Sequence, residues 1–165
     1  FYIDHEWFLE AGEGFPTHKE PPPQGGRNRR FQMTSGHNRW SIHSMNMTNN
    51  VILNTHRGEP FAFLNDRDAA ELGIANGDKV RVTSNAGSML IQAKLTPSCR
   101  PGQVIVYNGF EPYMHEGWNS QSDVEPGHIK PLGLVGNYGQ LKYRMFSWQP
   151  IPADRAVRVD IEKVS

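Results

Sequence analysis

The chain has 165 residues, which is the length of one ordinary domain. Its 17 Lys and Arg residues balance 17 Asp and Glu residues, so the formal net charge of zero gives no global field that would attract nucleic acid or an anionic membrane. No apolar run approaches the roughly 20 residues that span a bilayer, and we recognise no signal peptide or lipidation motif. The 16 Gly and 12 Pro residues predict many turns. We therefore expect one soluble, β-rich domain.

The first thirty residues are predicted to be a lead-in and linker. A short helix is expected from an N-cap at Asp4 to Gly12. Residues 19–30 have no periodicity and contain three successive prolines, which is typical of a linker. A basic cluster in this linker is expected to be a solvated loop, with phosphate binding as the alternative, and it consists of Arg27, Arg29 and Arg30. We place the domain boundary between residues 1–30 and a domain over residues 31–165.

The middle of the chain alternates short apolar strands with turns. Residues 61–64 are predicted to be a strand, after which Asn65 or Asp66 caps a helix that ends at Gly73. A turn follows in which Gly77 is free to take a positive φ. Further strands are expected where apolar and polar residues alternate, at residues 79–84, 88–95, 103–107 and 156–161. Short strands with tight turns predict a closed barrel or a sandwich.

Residues 108–153 form a long segment with little regular pattern. Its aromatic and imidazole side chains include Tyr113, His115, Trp118, Tyr138, Tyr143 and Trp148. Irregular segments of this length inside a domain are usually functional or covered by a partner. Because a domain that exposed all these side chains alone would tend to aggregate, we expect a partner surface here.

A second segment, residues 33–44, concentrates histidine, arginine, asparagine and hydroxyl side chains. Such donors suit phosphate oxygens and the heteroatom edge of a planar heterocycle. Gly36 would let the backbone approach a ligand closely. A polar surface loop is the alternative, but for the cluster as a whole we expect ligand binding.

Other chemistries have weaker support. His37 and His43 are six positions apart, which matches no zinc spacing, and no third ligand is near them. The Gly-Xaa-Ser-Xaa-Gly motif of hydrolases and the glycine motifs of phosphate and dinucleotide sites are absent. Cys99, the single cysteine, excludes a disulfide framework, a cysteine-rich zinc site and a four-thiolate cluster. We expect its thiol to be idle, with a reactive thiol as the alternative.

The start of the chain is unusual because Phe1 opens an apolar, aromatic stretch, whereas natural termini are usually polar. We therefore expect a piece of a larger protein, with a processed mature terminus as the alternative. Residues 87–88, Gly-Ser, are a dipeptide that self-cleaves to a pyruvoyl group in one barrel decarboxylase. A plain hairpin turn at residues 85–88 is the favoured interpretation.

Two stretches resemble a known family. Residues 65–82, from Asn-Asp-Arg-Asp to Gly-Asp-Lys-Val-Arg-Val, with Gly87 and Pro-Gly-Gln-Val at 101–104, resemble the C-terminal domain of the dimethyl sulfoxide reductase family of molybdopterin-dinucleotide oxidoreductases. Within residues 34–44, the run His-Asn-Arg-Trp-Ser-Ile-His-Ser looks like the pterin-contacting loop at the entrance of that domain. It is most similar to the branch of respiratory nitrate reductase, ethylbenzene and dimethylsulfide dehydrogenases, and selenate and (per)chlorate reductases. Residues 1–13 resemble the run that precedes this loop.

The resemblance implies a mainly β fold, a double-psi β-barrel with short helices and long loops that face cofactor and partners. It also implies which residues hold the cofactor. His37 and His43 match histidines that lie against the pterins, and Asn119 matches an asparagine of a later loop. Gln140 stands where nitrate reductases have a histidine, which argues against nitrate reductase itself. The implied cofactor-binding residues are Thr34, Ser35, His37, Asn38, Arg39, Trp40, His43, Ser44, Asn119 and Gln140.

The implied cofactor is bis(molybdopterin guanine dinucleotide) with molybdenum, shared with the rest of a catalytic subunit, and an iron–sulfur cluster is implied elsewhere in the complex. The molybdenum ligand and the cluster cysteines would lie in earlier domains, so this chain alone is expected to be inactive. The implied activity is two-electron reduction of an oxyanion, or oxidation of a hydrocarbon or sulfide.

The implied partners are the remainder of the subunit and an iron–sulfur subunit, with a haem subunit left open. No nucleic-acid partner and no direct membrane insertion are expected. The periplasm is the expected compartment, with the cytoplasm left open. The alternative function is a non-enzymatic double-psi barrel that binds a partner protein, and a pyruvoyl barrel is a third. Binding of a partner peptide without binding of pterin would favour the partner-binding barrel. Cleavage of the chain at residues 87–88 would favour the pyruvoyl barrel.

Overall fold

The computed structural model describes most of the middle of the chain and its last strand. The described residues are Glu6, Leu9, Phe15, Gly26 and residues 28–38, 42–45, 49–54, 58–125 and 157–164. Glu6 and Leu9 are helical, as the prediction for the lead-in requires. Predictions that fall outside the described residues concern Arg27, Arg39, Trp40, Tyr138, Gln140, Tyr143 and Trp148.

The chain divides into two compact units. One consists of Phe1–Pro22 with Gly127–Pro152, and the other of Pro23–Pro126 with Ala153–Ser165. The second unit contains every strand and helix described below. The domain boundary placed at residues 30 and 31 stays a prediction.

Six described strands form a closed barrel in the second unit. They are β1 (Phe31–Gly36), β2 (Phe61–Leu64), β3 (Lys79–Thr83), β4 (Ser88–Leu95), β5 (Gln103–Tyr107) and β6 (Val157–Lys163). Around the barrel the order is β1-β5-β2-β4-β3-β6. β1 with β5 and β2 with β4 are parallel pairs, and the other pairs are antiparallel. The order around the barrel is unchanged when β1 changes places with β4, β2 with β5 and β3 with β6. The predicted double-psi β-barrel is confirmed.

The core fills the inside of the barrel with alternate residues of each strand. In β1, for example, Phe31 and Met33 are buried while Gln32 between them is half-buried. Full burial of a large aliphatic or aromatic side chain contributes about 1.5–3 kcal/mol, so the interior is the main source of stability. The alternation predicted for β3 to β6 is confirmed. The buried strand residues are Phe31, Met33, Ala62, Leu64, Val80, Val82, Met89, Ile91, Ala93, Val104, Val106, Val157, Val159 and Ile161.

Short helices connect the strands. They are α1 (Asn50–Ile52), α2 (Asp66–Glu71), two 3-10 turns at Pro112–Met114 and Glu116–Trp118, and α3 (Gln121–Val124). Asn65 is the N-cap of α2, as one of the two predicted options, because its side chain accepts a hydrogen bond from the Arg67 amide at 2.9 Å. No helix in the part of the chain described here has the length and apolar character needed to cross a membrane.

The turns of the barrel follow the prediction closely. Gly73 after α2 has φ +66°, and Gly77 in the following turn has φ +88°. The amide of Ser84 donates to the carbonyl of Gly87 at 2.8 Å, so β3 and β4 form the expected plain hairpin. Glycine is needed at residue 77 because β-branched and bulky residues rarely adopt a positive φ.

Strand β1 is the element that the sequence did not predict. Thr34, Ser35 and Gly36 were expected in a loop, yet they continue the strand that starts at Phe31. Parallel pairing with β5 on one side and antiparallel pairing with β6 on the other supply the backbone hydrogen bonds. The polar residues at its end gave no local strand signal, and tertiary pairing overrides that local preference.

The expectation of a solvated basic loop is wrong for Arg29, whereas Arg30 is exposed as expected but is also ion-paired. Arg29 donates to Asp160 on β6 at 2.8 Å, and its side chain is 21% exposed. Arg30 lies 3.1 Å from the buried carboxylate of Asp68 and also pairs with Glu71. These contacts attach the segment before β1 to the barrel, so these charges are engaged within the domain.

Candidate functional site

The parallel pairing of β1 and β5 brings the carboxyl ends of both strands to the same end of the barrel. A pocket of about 330 Å³ opens at this end, which we call the mouth. Its apolar wall includes Val106 and Phe110. Its polar wall includes Ser35, Asn108, His115, Ser120, Gln121 and Glu125.

The polar wall contains a connected network. The hydroxyl of Ser35 donates to Oε1 of Glu125 at 2.9 Å. The Gln121 amide nitrogen donates to the same carboxylate oxygen and contacts the Ser35 hydroxyl. Oε2 of Glu125 makes no hydrogen bond or ion pair among the described residues. The network therefore holds the Glu125 carboxylate against Ser35 and Gln121 in the wall of the mouth.

Helix α3, which carries Gln121 and precedes Glu125, is fastened to the β3–β4 turn. The buried hydroxyl of Ser84 donates to the carbonyl of Val124 at 2.6 Å and accepts from the Ala86 amide at 2.9 Å. A Cβ on Gly87 would lie 2.7 Å from the Asp123 carbonyl oxygen, so this contact requires glycine. The barrel thus positions the polar wall of the mouth.

His115 stands out because it is buried without a full set of partners. The residue is 6% exposed, and its Nδ1 atom has no hydrogen-bond partner among the described residues. Burial lowers the pKa of His115, and the nearby Asp123 carboxylate opposes this shift only partly. The imidazole is therefore neutral near pH 7. A buried nitrogen left without a partner costs about 1–3 kcal/mol, so this atom needs a partner that the described residues do not supply.

The structure assigns Gly36 a different role from the expected one. A Cβ there would lie 2.5 Å from Cδ1 of Tyr107, whose ring packs 5.0 Å from the ring of Phe63. The close approach that needs glycine is therefore made by a side chain of the same domain. The expectation that Gly36 admits a ligand is replaced by this internal contact.

The predicted residues of β1 lie on opposite faces. Ser35 lines the mouth, whereas Thr34 accepts a hydrogen bond from the Gln103 side chain at 3.2 Å on the outer face. Neighbouring residues of a strand point to opposite faces of the sheet, so Thr34 does not share the mouth with Ser35.

The histidines predicted to lie in one loop do come together. The ring centroids of His37 and His43 are 5.3 Å apart with an interplanar angle of 63°. His37, His43 and Ser44 are exposed and Asn38 is half-buried, directly after the end of β1. Asn119 is exposed and is followed by the mouth residue Ser120.

Sequence reasoning missed Gln121 and Glu125, and treated His115 only as one of several exposed rings. A usable signal was present at residues 120–123, Ser-Gln-Ser-Asp, which form a capping box at the start of α3. Once a helix starts at Ser120, Gln121 and Glu125 fall four positions apart on one face. That they face Ser35 depends on tertiary packing.

Other candidate sites among the described residues have less support as functional sites. A pocket of about 610 Å³ borders β4, but none of the predicted site residues lines it. Among the described residues, no group of three or more His, Cys, Asp or Glu side chains could hold a metal ion. The Cys99 thiol is buried 3.3 Å from the Gln103 carbonyl, and burial, with a smaller contribution from Asp68, raises its pKa. This agrees with the idle thiol that was expected.

A closed double-psi barrel with a polar pocket at the ends of two parallel strands defines the class: a β-barrel domain with a candidate ligand pocket at one mouth. Comparison with known proteins identifies the family. Residues 31–133 match the family described as Molydopterin dinucleotide binding domain. The chain belongs to this family, and the predicted recognition and cofactor class are confirmed. The match spans β1 through α3 and so includes the mouth.

Named relatives agree with this assignment. Respiratory nitrate reductase subunit alpha of Haloferax mediterranei is 35% identical, over 99% of this chain and 17% of its own length. Dimethylsulfide dehydrogenase subunit alpha of Rhodovulum sulfidophilum is 32% identical, over 98% of this chain and 18% of its own. The chain thus spans less than a fifth of these relatives.

Among solved structures, acetylene hydratase from Pelobacter acetylenicus is similar with a TM-score of 0.55 and 17% identity. The similarity covers 63% of this chain and 15% of that one. At this identity it supports the fold alone.

Proposed function

We propose that this chain is the cofactor-binding domain of a molybdenum oxidoreductase catalytic subunit and that its mouth contacts a molybdopterin dinucleotide. The match of residues 31–133 to the dinucleotide-binding family carries this proposal. The same match favours it over a barrel that binds only a partner protein. The mouth fits such a cofactor, since its wall is polar and contains a buried imidazole nitrogen without a hydrogen-bond partner among the described residues.

The residues around the mouth would divide the work of binding. His37, Asn38, His43 and Ser44 follow β1 and offer polar groups to the outer part of the cofactor. Ser35 and its hydrogen-bonded neighbours lie deeper, where they would orient a ring and exclude water. Arg39, Trp40, Thr34, Asn119 and Gln140 remain predicted contacts. When bound, the cofactor supplies two-electron redox chemistry at molybdenum, and this domain supplies orientation and electrostatics.

The proposed activity is that of a subunit acting on an oxyanion, a hydrocarbon or a sulfide. The relatives named for nitrate, chlorate and dimethylsulfide motivate this range. Their names describe alpha subunits, so we infer further subunits, with an iron–sulfur subunit as the proposed electron carrier. The periplasm stays the proposed compartment, with the cytoplasm as the alternative.

The test is made on the full catalytic subunit that contains this chain. We expect about one molybdenum and two GMP released by acid per subunit, because the proposed cofactor carries two dinucleotides on one metal. His43→Ala should lower both contents while the melting temperature is kept. A folded wild-type subunit that contains neither molybdenum nor GMP would overturn the proposal and favour the partner-binding alternative.

A further inference from the structure

We propose that a groove on the outside of the barrel, over β4, is a docking site for an arginine-bearing segment from the remainder of the catalytic subunit. This inference rests on the proposed function, because it takes the remainder of that subunit as the partner. It concerns a surface outside the mouth. The shape of the groove, the apolar side chains around it and its charge support the proposal.

The groove has a volume of about 610 Å³ and is built from three separate parts of the chain. Its floor includes Leu90 and Gln92, which alternate along β4 with the core residues and therefore face outward. One side includes Leu53 and Pro60 from the connection between β1 and β2, and the other is formed by the 3-10 turns at residues 113–116. A cavity of this size can hold a few side chains of a docked segment.

Exposed apolar side chains surround the groove. Tyr113, which lines it, is 52% exposed, and on the two connections that form its sides Val51 is 67% and Trp118 is 70% exposed. Among the described residues, the large hydrophobic side chains that are exposed all lie outside the barrel strands. Apolar exposure that is concentrated on the walls of one groove is typical of a protein interface.

Trp118 is also held in a strained backbone conformation. Its φ is +62°, directly after Gly117 with φ +73°, and its amide donates to the His115 carbonyl at 3.1 Å. A bulky residue in the left-handed region costs about 1–2 kcal/mol. Because the indole is mostly exposed, packing within this chain does not offset that cost, which favours a contact with a partner.

The charged residues of the groove select the chemistry of the partner. Lys79 forms an ion pair with Glu116, so the carboxylate of Glu59 is the remaining charge among the described lining residues. A guanidinium fits this surface, because it can pair with a carboxylate through two parallel hydrogen bonds and can stack on an aromatic ring such as that of Tyr113. We therefore expect an arginine flanked by apolar side chains.

The partner is assigned to the same polypeptide because of the length of the relatives. The alpha subunits named above are matched over only 17% and 18% of their length. Most of such a subunit lies outside this chain and is covalently linked to it. A linked segment docks at a high effective concentration, so that an interface of modest area suffices.

The experiment is photo-cross-linking in the full catalytic subunit that contains this chain. The photoreactive residue p-benzoylphenylalanine replaces Tyr113, and mass spectrometry identifies the cross-linked peptide. We expect a cross-link to an arginine-containing segment of the same polypeptide outside residues 1–165. No cross-link, a cross-link only within residues 1–165, or a cross-link to a separate subunit would overturn the inference.

Charge variants test the role of the arginine. Because Glu59 is exposed, Glu59→Arg should fold, and its repulsion of the arginine should lower the cross-link yield about fivefold. Glu162→Arg, the same change at an exposed position on β6, should leave the yield unchanged. Replacement of the cross-linked segment's arginine by glutamate should restore the yield in the Glu59→Arg background. An unchanged yield in Glu59→Arg, an equal loss in Glu162→Arg, or no recovery in the double variant would each contradict the docking site.

Failure of the inference can be told from failure of the proposed function. If the wild-type subunit contains molybdenum and GMP but the cross-link is absent or lies elsewhere, only the assignment of the groove fails. If the wild-type subunit contains neither, the proposed function itself fails, whatever the cross-link shows.

Discussion

The hydroxyl of Ser84 links the barrel to the polar wall of the mouth, and its removal should be felt in both. Ser84→Ala leaves the buried Val124 carbonyl without its 2.6 Å donor and the Ala86 amide without its 2.9 Å acceptor. An orphaned buried backbone group costs about 1–3 kcal/mol, and the half-buried Ala86 amide can be partly hydrated, so we expect about 2 kcal/mol of destabilisation.

For a chain of this length, that loss corresponds to a fall of about 4–8 °C in melting temperature. Thermal unfolding followed by circular dichroism measures it. Ser98→Ala is the matched control, because Ser98 is exposed and its hydroxyl makes no hydrogen bond among the described residues. The molybdenum and GMP contents of the full subunit should also fall, since α3 carries Gln121 and precedes Glu125 in the polar wall of the mouth. Equal melting temperatures for the two variants would refute the reasoning.

Three other changes test separate features. Gly77→Val should destabilise the chain by about 1–2 kcal/mol because the backbone at residue 77 has a φ of +88°. The effect should be conformational alone, since no neighbouring atom lies within 4 Å of the added Cβ. Ala75→Val in the same turn is the control and should not destabilise the chain. Gly36→Ala should lower the melting temperature by displacing the Tyr107 ring, and the loss should shrink in a Tyr107→Ala background; equal losses in both backgrounds would contradict the contact. The pKa of His115 lies below its ordinary 6.5, so stability should fall as pH drops below 6.5, where only the unfolded chain takes up the proton. His115→Phe should reduce this dependence, measured as melting temperatures at pH 7.5 and 5.5, and an unchanged dependence would assign it to another group.

The parts of the fold that the sequence predicted are those decided by neighbours along the chain. Alternation at Val80 and Val82 reports which face of β3 is buried, and Gly77 reports a turn, because both signals are local. β1 was missed since its end is polar and only its pairing with β5 and β6 makes it a strand. Arg29 was misread because its partner, Asp160, is 131 positions away.

The site was predictable to a similar degree. The segment after β1 was identified from its density of polar side chains, and Ser35 indeed lines the mouth. Glu125 and His115 were not selected, because a single carboxylate or imidazole has no sequence signature of burial. The importance of Glu125 comes from its hydrogen bonds to Ser35 and Gln121, and that of His115 from a buried Nδ1 atom without a partner among the described residues. Only the packed structure reveals both.

The barrel has no open strand edge, and the wall of its mouth is contributed largely by the connection between β5 and β6. Scaffold and recognition are therefore separable: the strands can be retained while the connection is exchanged. A chimera that carries the residues 108–125 of a relative should keep the melting behaviour of the barrel, provided that the Ser84 and Gly87 contacts to α3 are kept. Variation in this one segment is then a route by which a single scaffold acquires new ligand preferences without refolding its core.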